Sequence, residues 1–192
     1  MTTSYLRGRA WTSWSREERL FCAVLYEHAR RNPSDFARWI GEETGIPTQK
    51  EDGWDLGFEV CFYRDYLWQL GRSARAEDYS PKRTFDLCLF GEQSIVILEA
   101  KVFEAFQTTQ LANFAEDAQA LRDLLGQPDL QVWMVALASS TYFVNVEKYG
   151  SPDTLGIFHG RLTWQQIAAR YPDPILGQVD YMYKLQPGAP LR

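Results

Sequence analysis

Hydrophobic and polar positions along the chain change period several times, and the changes mark out its elements. Leu20, Phe21, Val24, Leu25 and His28 recur at helical spacing and predict a helix from about Ser15 to Arg31. Ser15 and Glu18 stand in S-x-x-E order at its start, a capping-box pattern that satisfies the first orphan amides of a helix. Asn32-Pro33-Ser34 ends it, and a shorter helix is expected from Asp35 to Glu43, closed by Thr44-Gly45 ahead of Pro47. From Trp54 to Tyr63 the period falls to two. Leu56, Phe58, Val60 and Phe62 share one side and Asp55, Glu59 and Tyr63 the other, as in a strand with one buried face. The stretch from Arg64 to Lys82 mixes charges and rings and favours no single element.

Two further strands are predicted at Thr84–Phe90 and Ser94–Lys101, and Gly91-Glu92-Gln93 between them reads as a hairpin turn. Phe106 to Leu125 is a strong helical pattern stopped by Gly126 and Pro128. Leu130–Ala138 is an apolar strand, and another strand is expected at Thr154–Phe158. Thr163 and Gln166 form a second capping box, opening a last helix through Ile167, Ala168 and Tyr171 with Trp164 as a core residue; the tail after Pro172 is expected to be irregular. The order is helix, helix, three strands, helix, strand, strand, helix. Strands interrupted by a crossover helix predict an α/β domain with a mixed central sheet flanked by helices.

Length and composition narrow this picture. A chain of 192 residues fits a single domain spanning 1–192, and 45% apolar with 23% charged residues is ordinary for a globular protein. No apolar run approaches the roughly 18 residues that cross a bilayer, so no membrane association is expected. Arg7 and Arg9 are followed by no apolar stretch, which argues against a signal peptide and for the cytoplasm. Cys22, Cys61 and Cys88 are odd in number and lie in apolar patterns, so they read as buried free thiols. Together with His28 and His159 they lack zinc-site spacing. The net charge of −5 argues mildly against a broad nucleic-acid surface, yet residues 1–31 hold six arginines against three glutamates.

The informative feature is the hairpin. With its turn centred between Glu92 and Gln93, Asp86 falls opposite Glu99 and Thr84 opposite Lys101. Residues directly opposite share a face, and so do residues two apart on one strand. Asp86, Glu99 and Lys101 therefore converge at one end of an otherwise apolar hairpin. Charges embedded there are costly unless paired or metal-bound. A structural ion pair between Lys101 and one carboxylate is the simpler reading, but it leaves a carboxylate over. A hard cation, Mg²⁺ (or Mn²⁺), held between two carboxylates accounts for all three charges, with the lysine placed to orient a water and stabilise phosphate charge.

Asp86, twelve residues, then Glu99-Ala100-Lys101 resembles the D-x(n)-[DE]-x-K signature of the PD-(D/E)XK, or restriction-endonuclease-like, nuclease superfamily. The order of elements over residues 15–138 is also similar to that superfamily's αβββαβ core. Phe85 stands where the family often has proline. The resemblance implies Asp86 and Glu99 as metal ligands, joined by the Ala100 carbonyl, and Lys101 as the catalytic lysine. It implies a metal-dependent nuclease acting on nucleic acid, with DNA expected, in defence, mobile-element or repair biology. A catalytically silent module on the same fold, binding nucleic acid or protein, is the alternative. A domain this small is expected to gain affinity as a homodimer or through a partner protein.

Other positions are candidates to assist. Glu59 lies on the polar side of the first strand, either facing solvent or completing the site. Gln107 and Gln110 share a helix face, and Gln110 with Phe114 is similar to a glutamine-aromatic pair that the family places on this helix. The family's first helix often carries a glutamate near the metal. Glu18 and Glu27 are both available, and Glu18 already has an expected capping role. Arg7, Arg9, Arg16 and Arg19, interleaved with Trp11 and Trp14, are candidates to meet phosphates and bases, against the plainer reading of a charged helix end. Arg72, Arg75, Lys82 and Arg83 form a second basic group, diluted by Glu77 and Asp78.

Overall fold

A computed structural model describes residues 10, 12, 14–72, 83–106, 108–149 and 155–184. Two helices come first, α1 (Glu18–Ala29) and α2 (Pro33–Thr44). The second is bounded by local chemistry. The Asn32 side chain accepts the Asp35 amide, Pro33 sits where its missing N–H is harmless, and Gly45 closes the helix at φ 80°. A short 3₁₀ turn at Thr48–Lys50 leads to β1 (Asp55–Val60), α3 (Phe62–Gln69), β2 (Phe85–Phe90) and β3 (Ser94–Ala100). Then follow α4 (Thr108–Leu125), β4 (Gln131–Ala138), α5 (Ser140–Tyr149), β5 (Gly160–Thr163), α6 (Trp164–Arg170) and α7 (Leu176–Val179).

The strands form one five-stranded sheet in the order β1-β2-β3-β4-β5. β1, β2 and β3 run antiparallel to one another, and β3, β4 and β5 run parallel. The mixed α/β sheet expected from the order of elements is therefore present. Its two faces are covered by different helices. Leu87, Leu89, Val96, Leu98, Ala100, Val135 and Leu137 pack with α1, α2, α6 and α7. Cys88, Ile95, Ile97, Val132, Met134 and Ala136 pack with α3, α4 and α5. Central strands covered on both faces have little use for polar residues, and every residue of β3 is buried.

Several expectations are corrected. The alternation from Trp54 to Tyr63 stops being a strand at Val60, because Phe62 and Tyr63 open α3 and bury their rings beside Phe85 and Phe90. The strand expected at Thr154–Phe158 is instead β5 at Gly160–Thr163; residues 151–154 lie outside the described residues, and Leu155–Ile157 is turn. Gly160 lets the end of α2 close on this strand, since a Cβ there would lie 2.5 Å from Thr44 Cβ. α5 fills a stretch for which no element was expected, and the tail contains α7. The capping box at Thr163 and Gln166 forms as expected. The one at Ser15 and Glu18 does not: α1 starts at Glu18 without a side-chain cap, and the Ser15 hydroxyl accepts the Glu17 amide instead. Cys22, Cys61 and Cys88 form no disulfide and are buried. Among the described residues no helix is long and apolar enough to cross a membrane.

Candidate functional site

The hairpin register is the one anticipated. Gly91 N–H donates to Ser94 O at 2.8 Å, and Phe90, Leu89, Cys88 and Leu87 stand opposite Ile95, Val96, Ile97 and Leu98. One step further in the same register come Asp86 and Glu99, and the Asp86 charge acts on the Glu99 carboxyl. Regular pairing ends at Leu87 and Leu98, so the expected pairing of Thr84 with Lys101 lies past the end of the ladder. There the Ala100 amide donates to Asp86 Oδ2 at 2.8 Å, and a carboxylate takes the place of a backbone acceptor. Lys101 leaves β3 along the other neighbour, with its N–H donating to Leu137 O at 2.8 Å.

Glu18 closes the site from α1. Its Oε1 accepts from Lys101 Nζ at 3.0 Å and its Oε2 from the Val102 amide at 3.1 Å. Nζ also donates to Ala100 O at 2.7 Å and stands 4.0 Å from Glu99 Oε1. Glu27 pairs with Arg30 on the surface, so Glu18 is the first-helix glutamate at this place. The apparent S-x-x-E signature had assigned Glu18 to its own helix. Trp164 is a further contributor that the sequence reading left in the core: its indole Nε1–H donates to the Lys101 carbonyl at 3.0 Å. The signal was available, because a buried indole N–H needs an acceptor. The backbone of Lys101 and Val102 is thus held by β4, α6 and α1 at once.

Burial and mutual repulsion dominate the electrostatics. Glu99 is pushed up to about 8 by burial, then by the charge of Asp86, with Lys101 and Arg83 opposing. Burial also raises Asp86, against the Ala100 amide and Lys101, and raises Glu18, against Lys101. Burial would lower the Lys101 ammonium, but Glu18, Glu99 and Asp86 outweigh it and hold it above its usual range. Close carboxylates in a dry environment resist ionising together, and a cation among them removes that resistance.

The remaining candidates divide. Glu59 follows the row Asp86–Glu99 onto β1, between the pairs Phe58–Leu87 and Val60–Phe85. Its φ is 53°, a left-handed conformation unusual for a glutamate within a strand, and its Oε1 lies 3.3 Å from Arg19 Nε. Burial raises its carboxyl, Arg19 lowers it and Asp86 raises it again. Arg16 is exposed and stacks over the Phe103 ring with 4.2 Å to the centroid. Both line an open cleft of about 400 Å³ with Glu17, Glu18, Lys101, Val102 and Glu104. Arg83 departs from expectation. Its side chain is only 14% exposed, its Nη2 lies 2.8 Å from Asp117 Oδ2, and it packs over the Phe114 and Phe85 rings. It is committed to an internal ion pair, not presented to a phosphate. Gln107, the Gln110 side chain, Arg7, Arg9, Trp11, Arg75 and Lys82 lie outside the described residues.

The donor set of Asp86, Glu99 and the Ala100 carbonyl is all hard oxygen, which suits Mg²⁺ or Mn²⁺ and not a soft ion. Among the described residues no three His, Cys, Asp or Glu side chains are grouped to hold a metal ion. No protein-family model matches the chain, and no curated protein is significantly similar to it in sequence.

Proposed function

We propose that the chain is a metal-dependent nuclease of the restriction-endonuclease-like superfamily, hydrolysing phosphodiester bonds, with DNA as the substrate. The observation that carries this reading is the charged end of the hairpin, where the Ala100 amide donates to Asp86 Oδ2 and Lys101 Nζ stands 4.0 Å from Glu99 Oε1. Antiparallel β1, β2 and β3, then α4 and parallel β4, support it as the order of strands and crossover helix expected of that superfamily, with α2 and α3 as further helices. Asp86, Glu99 and the Ala100 carbonyl would hold Mg²⁺ or Mn²⁺. A bound cation of this kind supplies an acidified water and neutralises charge on the scissile phosphate.

The chain's own groups do the rest. Lys101 orients the attacking water and donates to a non-bridging oxygen as negative charge develops. Glu18 and Trp164 keep Lys101 in place through its ammonium and its carbonyl. Arg16 and Arg19 are exposed cations at the start of α1 and would meet the phosphate backbone, Arg19 by leaving Glu59. Glu59 and Gln110 are assigned assisting roles at the rim. Because Glu99 must ionise to act as a ligand, cleavage at sub-saturating Mg²⁺ rises with pH through about 8.

A second reading keeps the fold without catalysis: a silent module that binds nucleic acid or protein. The net charge of −5 favours it. One assay separates the two. Single- and double-stranded DNA and RNA are incubated with Mg²⁺ or Mn²⁺ and wild type, Asp86→Ala or Lys101→Ala. Metal-dependent cleavage by wild type alone supports the nuclease. Undiminished cleavage by both variants overturns the site, and binding without cleavage by wild type favours the module.

A further inference from the structure

We propose that Lys101 is the site's built-in counter-cation, seated among the oxygens assigned to the divalent ion, so that ion and ammonium compete for them. The inference rests on the metal-site reading above. Nζ donates to Ala100 O at 2.7 Å and to Glu18 Oε1 at 3.0 Å, and stands 4.0 Å from Glu99 Oε1. The Ala100 carbonyl and Glu99 are also members of the proposed ligand set. An ammonium has three donors and no acceptor, so a ring of one carbonyl and two carboxylates suits it as it suits a small hard cation. The lysine side chain is 11% exposed, so solvent does little to weaken these contacts.

Two cations at these oxygens repel each other. Entry of the divalent ion therefore requires Nζ to leave the Ala100 carbonyl. The cleft bounded by Arg16, Glu17, Glu18, Phe103 and Glu104 adjoins Lys101 and offers the released amine a destination. That is also where a phosphate drawn by Arg16 would lie. In this scheme the lysine screens the carboxylates while the site is empty and is delivered toward the substrate side when the cation arrives. The same residue stabilises the empty site and serves the loaded one.

Calorimetric titration with Mg²⁺ at about pH 8.5, where metal-ligating carboxylates are favoured over their protonated forms, tests the competition without any activity measurement. Lys101→Met is expected to bind Mg²⁺ at least about ten-fold more tightly than wild type, and Asp86→Asn at least about ten-fold more weakly. Equal or weaker binding by Lys101→Met, with wild type binding and Asp86→Asn not, overturns the competition and leaves the metal site standing. No binding by either wild type or Lys101→Met overturns both. Lys101→Gln replaces Lys101→Met if the latter fails to unfold cooperatively. In unaltered protein, reductive methylation of Lys101, followed by mass spectrometry, is expected to be several-fold faster with Mg²⁺ than without. An unchanged or slower rate contradicts the displacement.

Discussion

The two ends of the β2–β3 hairpin are built from the same strands by opposite means. From Leu87 to Phe90 and from Ile95 to Leu98 the side chains are apolar or thiol and most are fully buried, and the backbones pair in register. One residue beyond, the side chains are Asp86 and Glu99, the ladder stops, and an amide is satisfied by a carboxylate. The apolar end draws its stability from burial and backbone pairing. The charged end gives some of that up: burial raises three of its carboxyl groups, and one ammonium is shared among them. The apolar end fixes the geometry of the charged end, which is the reactive one under the function proposed above.

The largest expected effect belongs to the apolar end. Leu98→Ala opens a cavity at a fully buried position and should cost about 2–5 kcal/mol in urea unfolding. A loss below about 1 kcal/mol would mean that the hairpin is not the packed scaffold described here.

At the charged end the pH dependence of stability should carry the signature of Glu99. Its carboxyl titrates at about 8 when folded against 4.5 ordinarily, so between those values the folded protein holds a proton that the unfolded chain has released. Stability therefore falls as pH rises through that window, by up to about 1.4 kcal/mol per pH unit from this group, and levels off above it. Glu99→Gln removes the contribution, so its stability profile should be flatter and should exceed wild type above neutral pH. A variant whose slope equals that of wild type would show that Glu99 is not held in this environment.

A smaller effect is expected at the joint between α1 and the site. Glu18→Gln weakens the Lys101 contact and keeps a group able to accept the Val102 amide, so it should cost about 1–2 kcal/mol. It should also reduce cleavage more than Glu27→Gln, whose parent side chain pairs only with Arg30 at the surface. Equal losses in the two would place Glu18 outside the site.

How much of this was legible depended on whether a local pattern had one meaning or two. The hairpin register followed from the position of the turn: centred between Glu92 and Gln93, a two-residue and a four-residue loop give the same pairing, the one observed. The α6 capping box was equally unambiguous. Glu18 shows the opposite case. S-x-x-E describes a helix start, but the same glutamate satisfies a lysine and an amide 83 and 84 residues away, and no local window contains that competition. Arg83 belongs to the same class: a basic residue near other basic residues, whose Asp117 partner lies on α4. Phe62 and Tyr63 prolonged a strand alternation because both a strand and α3 can bury an aromatic ring. β5, at four residues, is too short for a period to emerge.

The central claim is that the charged end of this hairpin holds a divalent cation and the apolar end only supports it. Thermal unfolding at about pH 8.5, with and without Mg²⁺ at about a hundred times its dissociation constant, tests this directly. Wild type should gain about 2.7 kcal/mol, a rise of a few degrees in midpoint. Leu98→Ala should start lower and gain nearly as much, while Asp86→Asn, at least about ten-fold weaker in affinity, should gain at most about 1.4 kcal/mol. Equal Mg²⁺ shifts in wild type and Asp86→Asn, or no shift in wild type, would contradict the account.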